Sequence, residues 1–133
     1  MKSVAGSFFI LLSILIISSG CGNNSNPISA FEPEVINNAD AFQFQITDAT
    51  GVSTILHYTW TNTGTGATVD HSTALTAGVA SVEVFDADSV SVYTSSLLSS
   101  GTEETTVGTI GTWFVKVVLT EFDGTVNFSV EKL

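Results

Sequence analysis

The sequence predicts an all-β protein, an antiparallel β-sandwich of about 7–8 strands, jelly-roll-like or immunoglobulin-like, behind a cleaved N-terminal signal. Three observations lead there. From Ala41 onward, apolar and polar residues alternate with a period of two. Glycine- and aspartate-containing turn signals interrupt those runs at short intervals. No stretch of this part shows the 3.6-residue period of an amphipathic helix.

The chain opens with Lys2 and an apolar run from Phe8 to Ile17, followed by Ser18-Ser19-Gly20-Cys21. The run is about half of the roughly 20 residues a spanning helix needs, and it has the layout of a secretory signal. Cys21, the single cysteine, directly follows small residues. Residues 1–21 resemble the lipobox signal of bacterial lipoproteins. Gly20 and Cys21 fit that pattern, whereas Ser18 stands where leucine is usual. The resemblance implies cleavage of residues 1–20 and a diacylglyceryl group on the Cys21 thiol. It also implies a membrane anchor of two or three acyl chains, each buried methylene contributing about 0.8 kcal/mol. Gly22 is not the aspartate associated with inner-membrane retention, so the family's habit implies the outer membrane in a host with two membranes. In a host with one, it implies the outer face of the cell membrane. The alternative is an ordinary secretory signal with Cys21 a passive residue near the cut.

Residues 21–39 read as the lipidated cysteine and a flexible tether. Gly22-Asn23-Asn24-Ser25-Asn26-Pro27 has turn-forming residues and nothing to bury. Phe31, Val35 and Ile36 are able to pack back on the domain, which is expected to span 40–133.

Within that domain Phe42, Phe44 and Ile46 define the first strand, and Leu56, Tyr58 and Trp60 the second. Further runs follow at Val82 and Val84, at Val90 and Val92, at Trp113 through Leu119, and at Val126, Phe128 and Val130. Phe114 and Val118 occupy the second face of the Trp113 strand, marking it as central or covered on both sides. Breaks are expected at Gly51, Gly64 with Gly66, Gly78, Asp86-Ala87-Asp88, Gly101, Gly108 with Gly111, and Asp123-Gly124, the last being the strongest hairpin cue. The segments Asp40–Phe44, Val82–Asp88, Gly111–Val117 and Val126–Val130 resemble the strands of bacterial pre-peptidase C-terminal domains. That resemblance covers residues 40–131. It implies a small jelly-roll-like accessory domain of the kind credited with substrate or surface binding in exported proteins.

All 13 acidic residues lie beyond Cys21, where they face two lysines, Lys116 and Lys132, and no arginine. Such a surface repels phosphate backbones and supplies no basic groups for counterion release, which excludes nucleic acid as a partner. One cysteine also excludes an intrachain disulfide.

Candidate sites are few. His57 and His71 are the two imidazoles; their spacing does not bring them together, and both are expected to face solvent. No Gly-x-Ser-x-Gly elbow accompanies the many serines, so no catalytic residue and no cofactor is assigned. Asp86 and Asp88, with Asp40 or Asp123, are weak calcium candidates, and a turn whose aspartates bond the backbone is the simpler reading. Tyr58, Trp60 and Trp113 fall on core positions. Tyr93 and Phe85 lie opposite their strands' valines and form the candidate binding patch. The expected role is a non-catalytic, membrane-anchored module that binds an envelope protein or glycan. A purely structural envelope lipoprotein is the alternative, and a hydrolase using His57 or His71 a remoter one.

Overall fold

A computed structural model describes residues 28–133 of the chain. The expected signal peptide, Cys21 and the polar stretch 22–27 lie outside the described residues. The described part is nearly all strand: a 3-10 turn Ile28–Ala30, then β1 (Glu34–Asn38), β2 (Ala41–Asn62), β3 (Ala67–Phe85), β4 (Ser91–Ser95), β5 (Gly101–Glu104) and β6 (Gly111–Lys132). All pairs are antiparallel, in the order β1-β2-β6-β3-β4, with β5 also pairing β3.

Three of the six strands are about twice the length expected, because signals read as turns are creases inside continuous strands. The ladder of β2 on β6 shifts between Ile46 and Thr54, and that of β3 on β6 between Leu75 and Val79. Gly51, Gly78 and Gly124 all have positive φ there, of 60°, 77° and 139°. Asp123-Gly124 therefore lies inside the continuous β6, Asp123 paired with Ala77 and Gly124 with Ala49 and Leu75, and is not the loop of a hairpin. The runs at Phe42 and at Leu56 are two halves of β2, and those at Trp113 and Val126 are two halves of β6. Bulges strengthen local twist and let a strand bend, and three bulges side by side fold the whole sheet onto itself.

Two layers result. One contains β1, residues 41–46, residues 124–132, residues 67–75 and β5; the other contains residues 52–62, residues 111–120, residues 79–85 and β4. The expected sandwich is thus present, built from fewer and longer strands. Phe42, Phe44, Ile46, Val69, Val126, Phe128 and Val130 of the first layer meet Trp60, Val82, Val84, Trp113, Val115, Val117 and Leu119 of the second in one buried core. Full burial of each such side chain contributes about 1.5–3 kcal/mol. Trp60 and Trp113 meet edge to face with ring centroids 5.8 Å apart. Each indole N–H has a carbonyl acceptor, Asn38 O at 3.1 Å and Thr109 O at 2.7 Å.

At the end away from the creases, Asp40 joins the two layers. Its backbone N–H donates to Thr61 O, and its carboxylate accepts from Thr63 N (2.8 Å), Thr63 Oγ1 (2.9 Å) and Lys132 Nζ (3.0 Å). These donors hold its carboxyl below the usual value, the Thr63 backbone N–H first. Residues 34–38, assigned to the tether from sequence, form β1 instead: Glu34 pairs with Gln45 and Asn38 with Ala41. Phe31 and Ile28 pack against the core, whereas Val35 and Ile36 stay exposed.

Candidate binding face

The alternation that buries one side of each strand sends the other outward, and the registers show what each layer presents. On the outer side of the first layer, Gln43, Ser129 and Asp70 form one cross-strand row, and Gln45, Asn127 and Ser72 the next. Glu131 and Glu104 flank Thr68 in a third. This side is polar and acidic.

The second layer differs. Its outer rows are Ile55, Val118 and Ser81; then His57, Lys116, Glu83 and Thr94; then Thr59, Phe114 and Phe85. In these rows the charged groups are Lys116 and Glu83, 3.8 Å apart, so they offset one another. Ser91 Oγ donates to Glu83 Oε1 at 3.0 Å. Phe114 is 40% exposed and Ile55 57%. Phe85 lies beside Phe114 in register and is half-buried. His57, Phe85, Ser89, Phe114 and Lys116 line a shallow depression of about 360 Å³. Two rings form its apolar floor, and an imidazole and an ammonium stand at its rim. Exposed apolar side chains grouped in this way make the face a candidate for interaction.

The structure separates the two residues of the patch expected from sequence. Phe85 belongs to the depression, but Tyr93 does not. The β3–β4 ladder shifts between Val84 and Phe85, so that Tyr93 pairs with Val84 and Ser91 with Phe85. This bulge turns both Val92 and Tyr93 inward, and Tyr93 is 8% exposed. Its hydroxyl donates to Glu103 Oε2 at 2.9 Å. Burial first, and then the Glu103 carboxylate, pushes the Tyr93 phenol up to about 12. Sequence reasoning placed Phe114 and Val118 on the second face of their strand and took that strand to be central or covered on both sides, whereas Phe114 is exposed; neither Phe114 nor Lys116 was joined to Phe85. Alternation about Trp113, Val115 and Val117 marks them as outward, but their neighbour on β3 depends on strand order.

Other candidates resolve into structural roles. Asp86 is buried, and its carboxylate accepts from the backbone N–H groups of Asp88 (3.0 Å), Val90 (2.9 Å) and Thr109 (2.8 Å). Those bonds, led by Thr109, hold its carboxyl below the usual range. Asp88 Oδ2 accepts from Thr109 Oγ1 at 2.7 Å. The pair thus ties the β3–β4 turn to the segment before β6. Asp123 is spent on Gly51 N at the crease. Among the described residues, no three His, Cys, Asp or Glu side chains are grouped to hold a metal ion.

The histidines lie apart. His57 is exposed on the outer side of the second layer, as expected. His71 is not solvent-facing: it follows Ala67 and Val69 on the inward side of β3, is 6% exposed, and its Nδ1–H donates to Ser99 O at 2.7 Å.

The chain matches no family model, and no curated protein is similar to it in sequence.

Proposed function

We propose that the protein is exported, lipidated at Cys21 and held at a membrane surface, in the outer membrane of a host that has two. There its β-sandwich acts as a non-catalytic binding module for an envelope protein or a glycan. One observation carries the binding role: Phe114 stands exposed beside Phe85 on a charge-balanced face of a chain whose net charge is −10. Apolar surface left in water forgoes about 25 cal/mol per Å², which a partner covering that face recovers. The strand segments that resemble those of pre-peptidase C-terminal domains point the same way, toward an accessory rather than a chemical role. The lipobox-like Ser18-Ser19-Gly20-Cys21 supports the anchor.

Each half of the reading has its own test. Cys21→Ala is expected to abolish fatty-acid labelling and to move the chain out of the detergent phase; unchanged partitioning refutes the anchor. A photo-crosslinker at Thr59, beside Phe114, is expected to capture an envelope component in intact cells. Capture is expected to disappear in the Phe85→Ser/Phe114→Ser chain, and persistence there refutes the face.

A further inference from the structure

We infer that the Phe85–Phe114 face is self-complementary and that its partner is a second copy of this chain, lying against it about a twofold axis parallel to the strands. This rests on the binding-face reading and names the partner. The argument comes from register. On the outer side, Phe114 is level with Phe85, Lys116 with Glu83, Val118 with Ser81 and Thr120 with Val79. A twofold axis running between β6 and β3, parallel to both, exchanges the two strands without changing level. It therefore sets Phe114 over the partner copy's Phe85, and Lys116 over the partner copy's Glu83, twice each. Oligomers built on such axes present one patch to itself, with residue i meeting j and j meeting i.

Charge favours the same pairing. Two chains of net charge −10 repel through most of their surfaces, and the acidic outer side of the first layer cannot meet itself. The rows from Ile55 to Thr59 hold one cation and one anion in register, so stacking two copies adds cross-chain attractions. The intrachain Lys116–Glu83 distance of 3.8 Å leaves both groups partly exposed, at 34% and 31%, and free to engage a second partner. Four strands about 4.8 Å apart, rising about 3.3 Å per residue, give a footprint on the order of 500 Å². That is at the low end for a specific interface, so confinement of both copies to one membrane raises their effective concentration where it is needed. The axis suits such confinement: being parallel to the strands, it leaves the N-terminal ends of both β1 strands at the same end of the pair.

Zero-length carbodiimide coupling in envelopes of cells producing the full chain tests this directly. The expected result is a covalent dimer joined Lys116 to Glu83. Lys116→Glu alone and Glu83→Lys alone each place like charges across the axis and are expected to lower the dimer at least ten-fold, read in these two variants with the photo-crosslinker at Thr59, because neither retains both the amine and the carboxylate that carbodiimide joins. Producing the two variants together restores both cross-chain pairs while leaving each chain's internal pair like-charged, so a heterodimer should return. A wild-type chain without dimer, single variants that couple as well as wild type, or a mixture that yields none, each overturns the second-copy proposal. In any of those cases, Phe114-dependent capture of another envelope component keeps the binding-face reading, and loss of that capture as well removes both.

Discussion

Phe42 and Tyr58 lie near opposite ends of one strand, yet their rings meet across the core with centroids 5.5 Å apart. Phe44 also reaches Tyr58, at 6.0 Å, and stacks on Phe128 at 5.2 Å. The contact exists because β2 folds back at its crease, so it reports on closure of the two layers. Phe42→Ala is expected to cost about 3–5 kcal/mol in chemical denaturation. A loss under 1 kcal/mol would mean the layers do not close in this way.

The creases themselves depend on glycine. A Cβ on Gly78 would sit 2.1 Å from Glu121 O, and one on Gly124 2.2 Å from Ala74 O, both at positive φ. Neither backbone atom can move aside without breaking the fold of its strand. Gly78→Ala and Gly124→Ala should each destabilise by on the order of 3 kcal/mol, read as a fall in the denaturation midpoint. Wild-type midpoints in both would refute the bulge geometry.

Acid sensitivity should trace in part to Asp40, depressed as described above, and in part to the buried Asp86. Its carboxyl is depressed in the folded chain, so its contribution is complete above the ordinary value of 3.8 and fades as pH falls through the lower folded value. The melting temperature of the wild type is expected to drop below about pH 4. Asp86→Asn should lower stability at neutral pH and flatten that acid limb. A variant limb as steep as the wild type's would assign the sensitivity to other groups.

Tyr93 gives the opposite limb. Its phenol is raised from 10.0 to about 12, so the fold favours the neutral form. That contribution is complete below pH 10 and is lost as pH rises toward 12. Absorbance titration should show a late-ionising tyrosine that Tyr93→Phe deletes, with a shallower alkaline unfolding limb. Retention of the late step in Tyr93→Phe would place it on Tyr58.

Neighbouring residues of β6 should separate binding from folding. Trp113 is fully buried and Phe114 is 40% exposed. Trp113→Ala is expected to cost about 3–5 kcal/mol, while Phe114→Ser stays within about 0.5 kcal/mol and loses partner capture. Thermal melts and crosslinking on the same two variants check both halves.

The alternation of Phe42, Phe44 and Ile46, and of Trp113 through Leu119, made the layers and most of the core legible before any coordinates. What it could not show was continuity. A glycine at positive φ serves equally in a hairpin loop and in a bulge, and only the partner strand decides; β6 runs alongside both β2 and β3 through the crease, so the bends at Gly51, Gly78 and Gly124 occur together. The inward turn of Tyr93 was hidden for a related reason, since one bulge after Val84 reverses the facing of every later residue on β4. His71 was missed because no strand was assigned between Trp60 and Val82, where the first half of β3 runs. The proposed binding face was half legible: Phe85, Phe114 and Lys116 are outward by parity, but their adjacency is a product of long-range pairing.

The direction of β1 has a mechanical consequence. It starts beside the creased end, level with Gln45, and runs toward Ala41. A pull applied at Glu34 along the axis of β1 is therefore directed away from the strand's far end. The β1–β2 ladder meets such a load in shear, with its paired positions from Glu34 to Asn38 strained together. A strand leaving from its other end would instead peel, one pair at a time. The proposed tether to Cys21 would load this corner, on the layer opposite the one that carries Phe85 and Phe114.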